Sequence, residues 1–171
     1  MITKRQRLEA AIRGDAVDRV PFGIWLHNFA EEYSDEALAA ETMRLYERFD
    51  FDFIKPQTRA HCFGEMWGQE MEPPAGRDVW PVTKKFAVRA DGDLDNLRQV
   101  PANAGALAEQ VQAYRRIRAA AGQDVHIIAT VFSPMMNLTL MHQDGKPGAL
   151  RVVREELFML AGLALMIASS A

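Results

Sequence analysis

The stretch V-P-F-G-I-W-L at residues 20–26 decides the reading of the fold. It is a short, nearly continuous apolar run without polar alternation, the pattern of a strand covered on both faces in a parallel sheet. Pro21 fits near the start of such a strand, where a ladder N–H is not needed. Ser34 then caps a helix whose inward positions are Leu38, Thr42, Leu45 and Phe49. The segment F-D-F-I-K-P at residues 51–56 reads as a second short strand. Strand, helix and strand follow one another over about 37 residues, the size of a βαβ unit.

The same pattern extends in both directions. Upstream, Thr3 and Gln6 make a capping box, Leu8, Ala11 and Ile12 recur at helical spacing, and Gly14 stops the helix, which spans 4–13. Residues 15–19 are a polar loop. Downstream, residues 57–92 read as irregular, broken by Pro73, Pro74, Gly76 and Pro81, with a short extended piece at 86–89. Asn103 is expected to cap a helix with Leu107, Val111, Tyr114, Ile117 and Ala121 on one face and Gly122 as its stop. The run V-H-I-I-A-T-V-F at 125–132 is the clearest buried strand. Ser133-Pro134 ends it, and a helical turn over 135–141 follows. Gly145, Pro147 and Gly148 mark a break before a final helix over 150–169, weakened at Gly162. Helices alternating with doubly apolar strands define an α/β architecture with a parallel sheet.

Composition narrows the function classes. The chain has 171 residues, 49% of them apolar and 25% charged, with a formal net charge of −3. That is an ordinary globular composition, and a nucleic-acid partner, which calls for a basic domain or stripe, is not expected. Cys62 is the single cysteine, which excludes an intrachain disulfide and a cysteine-rich zinc cage. The longest apolar run, at 157–168, is shorter than the roughly 20 residues a bilayer-spanning helix needs. With no apolar leader after the basic N-terminus, no membrane is expected and the cytoplasm is the expected location.

In parallel α/β folds the chemistry sits at the C-terminal ends of the strands. The first strand ends in His27-Asn28, the second runs into Lys55, Gln57, Arg59, His61 and Cys62, and the third ends at Ser133. His27, Asn28, Arg59, His61 and Ser133 are therefore the expected binding residues for a small-molecule substrate, lining one concave rim. Each also has a plainer reading as a loop or surface residue. His126, early in an apolar strand, reads as a satisfied core histidine. Met135, Met136 and Met141 read as core filler, and Lys84-Lys85 as a solvated pair. His61 beside Cys62 supplies too few ligands for a metal site. No G-x-G-x-x-G, P-loop or G-x-S-x-G occurs.

Lys4-Arg5-Gln6-Arg7-Leu8 through Arg13-Gly14-Asp15, with Asp18-Arg19-Val20-Pro21 after it, resembles the opening of the uroporphyrinogen decarboxylase family. That family begins with a helix of the form R-x-R-x-x-x-A-L-x-G and a D-R-x-P motif. The likeness continues through residues 46–52, Glu65-Met66-Trp67-Gly68, Asp93-Leu94-Asp95-Asn96-Leu97 and Phe132-Ser133-Pro134. It implies a (β/α)8 barrel whose decarboxylases need no cofactor and work as dimers. A full barrel takes about 250 residues, so the chain is expected to be a partial (β/α)8 TIM barrel, its N-terminal portion with parallel strands. The strand 125–132 and the last helix are then open to self-association.

Three departures from the decarboxylases stand out. Their R-Q-A-G-R segment, which grips the acidic side chains of the tetrapyrrole, is missing, because residues 20–43 contain no Arg or Lys. Their Asp after the second strand is replaced by Gln57-Thr58-Arg59, and Leu140 stands near the place of an expected tyrosine. The same superfamily includes corrinoid-dependent methyltransferases, which lack the arginine segment and bind zinc through His and Cys in the second half of the barrel. The resemblance thus implies a carboxy-lyase-like, tetrapyrrole-related protein. The alternatives are a methyltransferase-like relative and a truncated barrel without a working site.

Overall fold

The computed structural model describes residues 2–101 and 103–155. The expected helix beyond residue 155, with its Gly162, lies outside the described residues. In chain order the elements are α1 (Lys4–Arg13), α2 (Asp35–Phe49), β1 (Phe53–Ile54), α3 (Cys62–Glu65), β2 (Glu70–Met71), β3 (Thr83–Lys85), a 3-10 helix (Asp91–Asn96), α4 (Gly105–Ala121), β4 (His126–Ile127), α5 (Pro134–Met141) and α6 (Gly145–Glu155). They fall into two compact units.

The first unit takes in residues 2–58, 75–79 and 111–130. The α1 capping box forms as expected: Thr3 Oγ1 accepts from the Gln6 N–H, and the Thr3 N–H donates to Gln6 Oε1. Gly14 closes the helix in the left-handed conformation at φ 78°. Ser34 caps α2 by accepting from the Ala37 N–H at 3.2 Å. Leu38 and Thr42 are buried on α2 as expected, joined by Ala39. Phe49 does not face inward. It is 45% exposed at the helix end and stacks on Phe51 at 5.6 Å.

β1 and β4 pair in parallel, Phe53 opposite His126 and Ile54 opposite Ile127, and the Ile128 N–H adds a bond to the Ile54 carbonyl at 2.8 Å. Ala39, Ile54, Ile117 and Val125 form the core of this unit. The buried stripe of α4 here is Ala113 and Ile117. Val111, expected on that face, is 39% exposed, and the helix begins at Gly105 rather than directly after Asn103.

Both long strand expectations shrink. Residues 20–26 form no strand. Pro21 has no N–H to offer, and the Phe22 N–H is diverted to the Asp52 carboxylate at 3.0 Å. One backbone bond, from the Asp52 N–H to the Phe22 carbonyl, ties the segment alongside β1. A Cβ on Gly23 would meet the Phe53 ring at 2.7 Å, so glycine permits that close approach. The side chains are not doubly covered either: Val20 is 80% and Ile24 58% exposed. The run 125–132 pairs only over β4, and Ile128 and Val131 beyond it are exposed.

The second unit takes in the described residues 59–74, 80–110 and 131–155. The segment expected to be irregular contains structure. α3 is followed by an antiparallel hairpin, β2 with β3, in which Glu70 faces Lys85 and Met71 faces Thr83. The expected extended piece at 86–89 pairs at one point, where Val88 forms a parallel bridge with His142. Asp93 accepts from the Arg89 and Ala90 N–H groups and so opens the 3-10 helix. α6 begins at Gly145, so Gly145, Pro147 and Gly148 lie in its first turn instead of breaking it. Val88, Leu94, Leu138, Met141 and Ala149 form the core, with Trp67, Leu97 and Met135 against it. Met136 is 47% exposed and is not core filler. No described helix is long and apolar enough to cross a membrane.

Candidate functional site

The candidate residues of the first unit cluster on a carboxylate. Glu32 is 1% exposed and its Oε1 lies 2.5 Å from His27 Nδ1. A carboxylate oxygen accepts, so the His27 Nδ1–H donates to Glu32 and Nε2 is the ring's other nitrogen. Gln57 Nε2 lies 2.7 Å from Nδ1 and 2.8 Å from Nε2. Near-equal distances to both nitrogens place that amide over the ring. The imidazole stacks on Phe29 at 4.5 Å and meets the edge of Trp25 at 5.4 Å. Lys55 Nζ sits 4.1 Å from the Trp25 ring centroid, and burial holds its ammonium below the usual lysine range. The Glu41 carboxyl is held below its usual range by Arg44 first, with Asn28 adding to the effect. This group can orient an imidazole and exchange a proton at Nε2.

His126 belongs elsewhere in this unit and is not a core histidine. Its side chain is 36% exposed and its Nε2 lies 3.0 Å from Glu9 Oε1.

The second unit holds the other candidates. Arg59 is 3% exposed, with Nη2 2.9 Å from Glu65 Oε2 and Nη1 3.0 Å from Glu109 Oε1. Its backbone N–H donates to Gln110 Oε1 at 3.1 Å. Burial pushes the Glu65 carboxyl up, against the pull of Arg59. His61 is 7% exposed and receives the Gln69 amide at Nδ1, 3.1 Å away. Burial first, then the Arg59 charge, hold its pKa below the usual histidine value, so the ring is neutral. Burial raises the Cys62 thiol to about 12, which makes it an inert core residue rather than a nucleophile. Ser133 is the N-cap of α5, its Oγ accepting from the Met136 N–H at 3.2 Å.

Each unit thus assembles a polar group around residues read from the strand ends: His27 and Asn28 in one, Arg59 and His61 in the other. Ser133 serves a helix terminus. The partners Glu32, Glu65, Gln69, Glu109 and Gln110 are not singled out by the sequence, whereas Gln57 is among the side chains that follow the second expected strand. One signal was legible: in H-C-F-G-E, Glu65 follows His61 by four residues, one helical turn. Among the described residues no three His, Cys, Asp or Glu side chains are arranged to hold a metal ion.

The D-R-x-P segment has a structural role. Asp52 is fully buried and accepts from Arg7 Nη1 at 2.7 Å, from both Arg19 terminal nitrogens and from the Phe22 N–H. Arg7 also grips Asp18 at 2.6 and 2.7 Å. That bond drops the Asp18 carboxyl to about 2. Arg7 of the opening helix and the Asp-Arg pair of the motif therefore close one ionic network in the first unit.

Comparison with known proteins bears on the whole chain. No curated protein matches it. Solved structures that match include a methyltransferase from Methanosarcina mazei, with a TM-score of 0.65 at 18% identity. The match covers 100% of this chain and 57% of that one, so the protein spans little more than half the length of this neighbour. The likeness supports an α/β fold of the partial-barrel type. The family profile described as uroporphyrinogen decarboxylase (URO-D) matches residues 3–159, and the chain belongs to that family.

Proposed function

We propose that the protein is a methyltransferase-like relative within the URO-D family, acting on a small molecule, and not a decarboxylase of polycarboxylate tetrapyrroles. The observation that carries this reading is the state of Arg59. It lies five residues after β1, beyond Lys55, and it is held between Glu65 and Glu109. Two carboxylates around one guanidinium leave that group net negative, which repels a polyanion. Separately, residues 20–43 contain no lysine or arginine, so the segment that grips the acidic side chains of the tetrapyrrole in the decarboxylases is missing. The similar fold of a solved methyltransferase also supports the reading. The chain's own contribution is to orient the substrate and to move a proton at His27 Nε2. Porphyrin biosynthesis and lyase activity are not assigned under this reading, and the cytoplasm is the compartment it implies.

The test is a paired assay of the purified protein. Incubation with uroporphyrinogen is expected to give no coproporphyrinogen above a protein-free control. Methylcobalamin offered with a small methyl acceptor is expected to lose its methyl group, read from the corrin absorbance. Coproporphyrinogen formation, or no methyl loss, overturns the proposal.

A further inference from the structure

In the first unit β4 has a second edge. The described sheet that contains it is two-stranded, β1 beside β4. The Ile128 N–H bonds the Ile54 carbonyl, so that residue turns towards β1. Successive residues of a ladder turn to opposite edges, and Ile127 and Ala129 therefore direct their N–H and C=O groups away from β1. Ala129 makes no backbone hydrogen bond to a described residue.

A groove of about 610 Å³ runs along that edge. Ile127 and Ala129 line it from the strand, and Val111, Tyr114, Arg115, Arg118 and Ala119 line it from α4. Those five stand at i, i+3, i+4, i+7 and i+8, the spacing of one helix face. It is a different stripe from Ala113 and Ile117, which are fully buried. The helix thus has one face in the core and a second along open space. Free edges are ordinarily guarded by a charge or a proline on the strand. Residues 127–130 read I-I-A-T and carry neither.

Charge narrows what fits. No acidic side chain lines the groove. Arg118 Nη1 donates to the Gly122 and Val125 carbonyls at 2.5 and 2.9 Å, and Arg115 Nη1 lies 3.5 Å from Gln112 Oε1. Neither guanidinium is paired with a carboxylate among the described residues. A second copy of the chain would bring the same two arginines to the edge and add repulsion. Residues 157–171 contain no Asp or Glu and do not answer the charge either.

We infer that this groove receives an extended, acidic segment of a partner polypeptide, which adds a strand to the free edge of β4 and sets a carboxylate against Arg115. The added strand supplies hydrogen-bond partners for Ile127 and Ala129, and its apolar side chains lie against Val111 and Ile127. The inference concerns a surface and is independent of the methyl-transfer reading.

The test uses the full chain and an eight-residue peptide of alternating valine and glutamate. Its counterparts are the same peptide with lysine for glutamate, and the valine–glutamate peptide N-methylated at every residue. Binding is read from the anisotropy of fluorescein-labelled peptide and from the backbone amide resonances of Ile127 and Ala129. The valine–glutamate peptide is expected to bind saturably, to shift both amides and to bind roughly tenfold more tightly than either counterpart. Arg115→Glu is expected to remove the preference for glutamate over lysine. Ala129→Pro deletes a donor on the free edge and no bond to β1, and is expected to lose the binding. No saturable binding overturns the inference. Equal binding of the N-methylated peptide also overturns it, since charge attraction then acts without strand pairing. A glutamate preference that is absent, or that survives Arg115→Glu, does the same. Shifts of Ile127 and Ala129 with protein concentration alone would seat a second copy there and overturn it too. If Ala129→Pro does not fold, the N-methylated peptide decides the pairing.

Discussion

Asp52 shows how one residue can organise a sequence motif. Its carboxylate is fully buried, and burial alone would raise its pKa. The Phe22 N–H, Arg19 and Arg7 outweigh that and hold it below the usual aspartate value. Removing one partner of such a group leaves uncompensated charge in the interior. Asp52→Asn is expected to destabilise the protein by about 3 kcal/mol in urea unfolding, the low end for a buried pair because Arg19 is itself partly exposed. The pH dependence follows in sign. Asp18 and Asp52 have lower pKa values folded than unfolded, so their contribution is complete above about 4. It is lost as pH falls from there towards about 2, where Asp18 titrates in the folded chain. Unfolding measured between pH 5 and 2 should show a steeper loss in the parent chain than in Asp52→Asn.

At the scale of elements, the short helices of the second unit depend on particular contacts. Gly148 lies in the first turn of α6 against His142. Glycine to alanine in a helix ordinarily gains about 1 kcal/mol. Here a Cβ would stand 2.1 Å from His142 Nδ1. The ring cannot yield easily: it is fully buried, its Nδ1 accepts the Asp144 N–H at 3.0 Å, and its Nε2 lies 3.1 Å from Asp91. Overpacking of this kind costs about 1–3 kcal/mol, so Gly148→Ala is expected to lower Tm. A raised Tm would mean that the helix does not pack on His142. Other elements were legible from local chemistry. The α1 box, the Ser34 cap and the Ser133 cap each depend on residues within one turn. The β2–β3 hairpin was not legible, because its two strands are two and three residues long and carry no apolar alternation.

For the whole molecule, the exposed apolar side chains set the expectation. In the first unit Val20, Ile24, Trp25 and Leu26, close together in the chain, are 45–80% exposed. Clustered apolar exposure of this kind marks a surface that associates. The expected outcome of light scattering at micromolar concentration is a species heavier than the 19.2 kDa chain. A monodisperse monomer would refute it. Such association would also mask residues 20–26, so protease cleavage there should slow as concentration rises.

The amino-acid sequence by itself determined the α/β class, the family and the helices α1, α2 and α5. Their caps and apolar spacing act over three or four residues and need no distant partner. It also brought out His27, Asn28, Arg59 and His61 as polar residues next to apolar segments. Only the tertiary structure decided what those side chains do. Strand length depends on which backbone groups find a partner elsewhere in the chain. At residues 20–26 the Phe22 N–H finds a carboxylate 30 positions away and no ladder forms. The pairing of His27 with Glu32, the enclosure of Arg59 by Glu65 and Glu109, and the ionic hub on Asp52 likewise join segments up to 50 residues apart. Charge type is written in a residue, whereas its partner, and so its protonation and its freedom to meet a ligand, is set by packing.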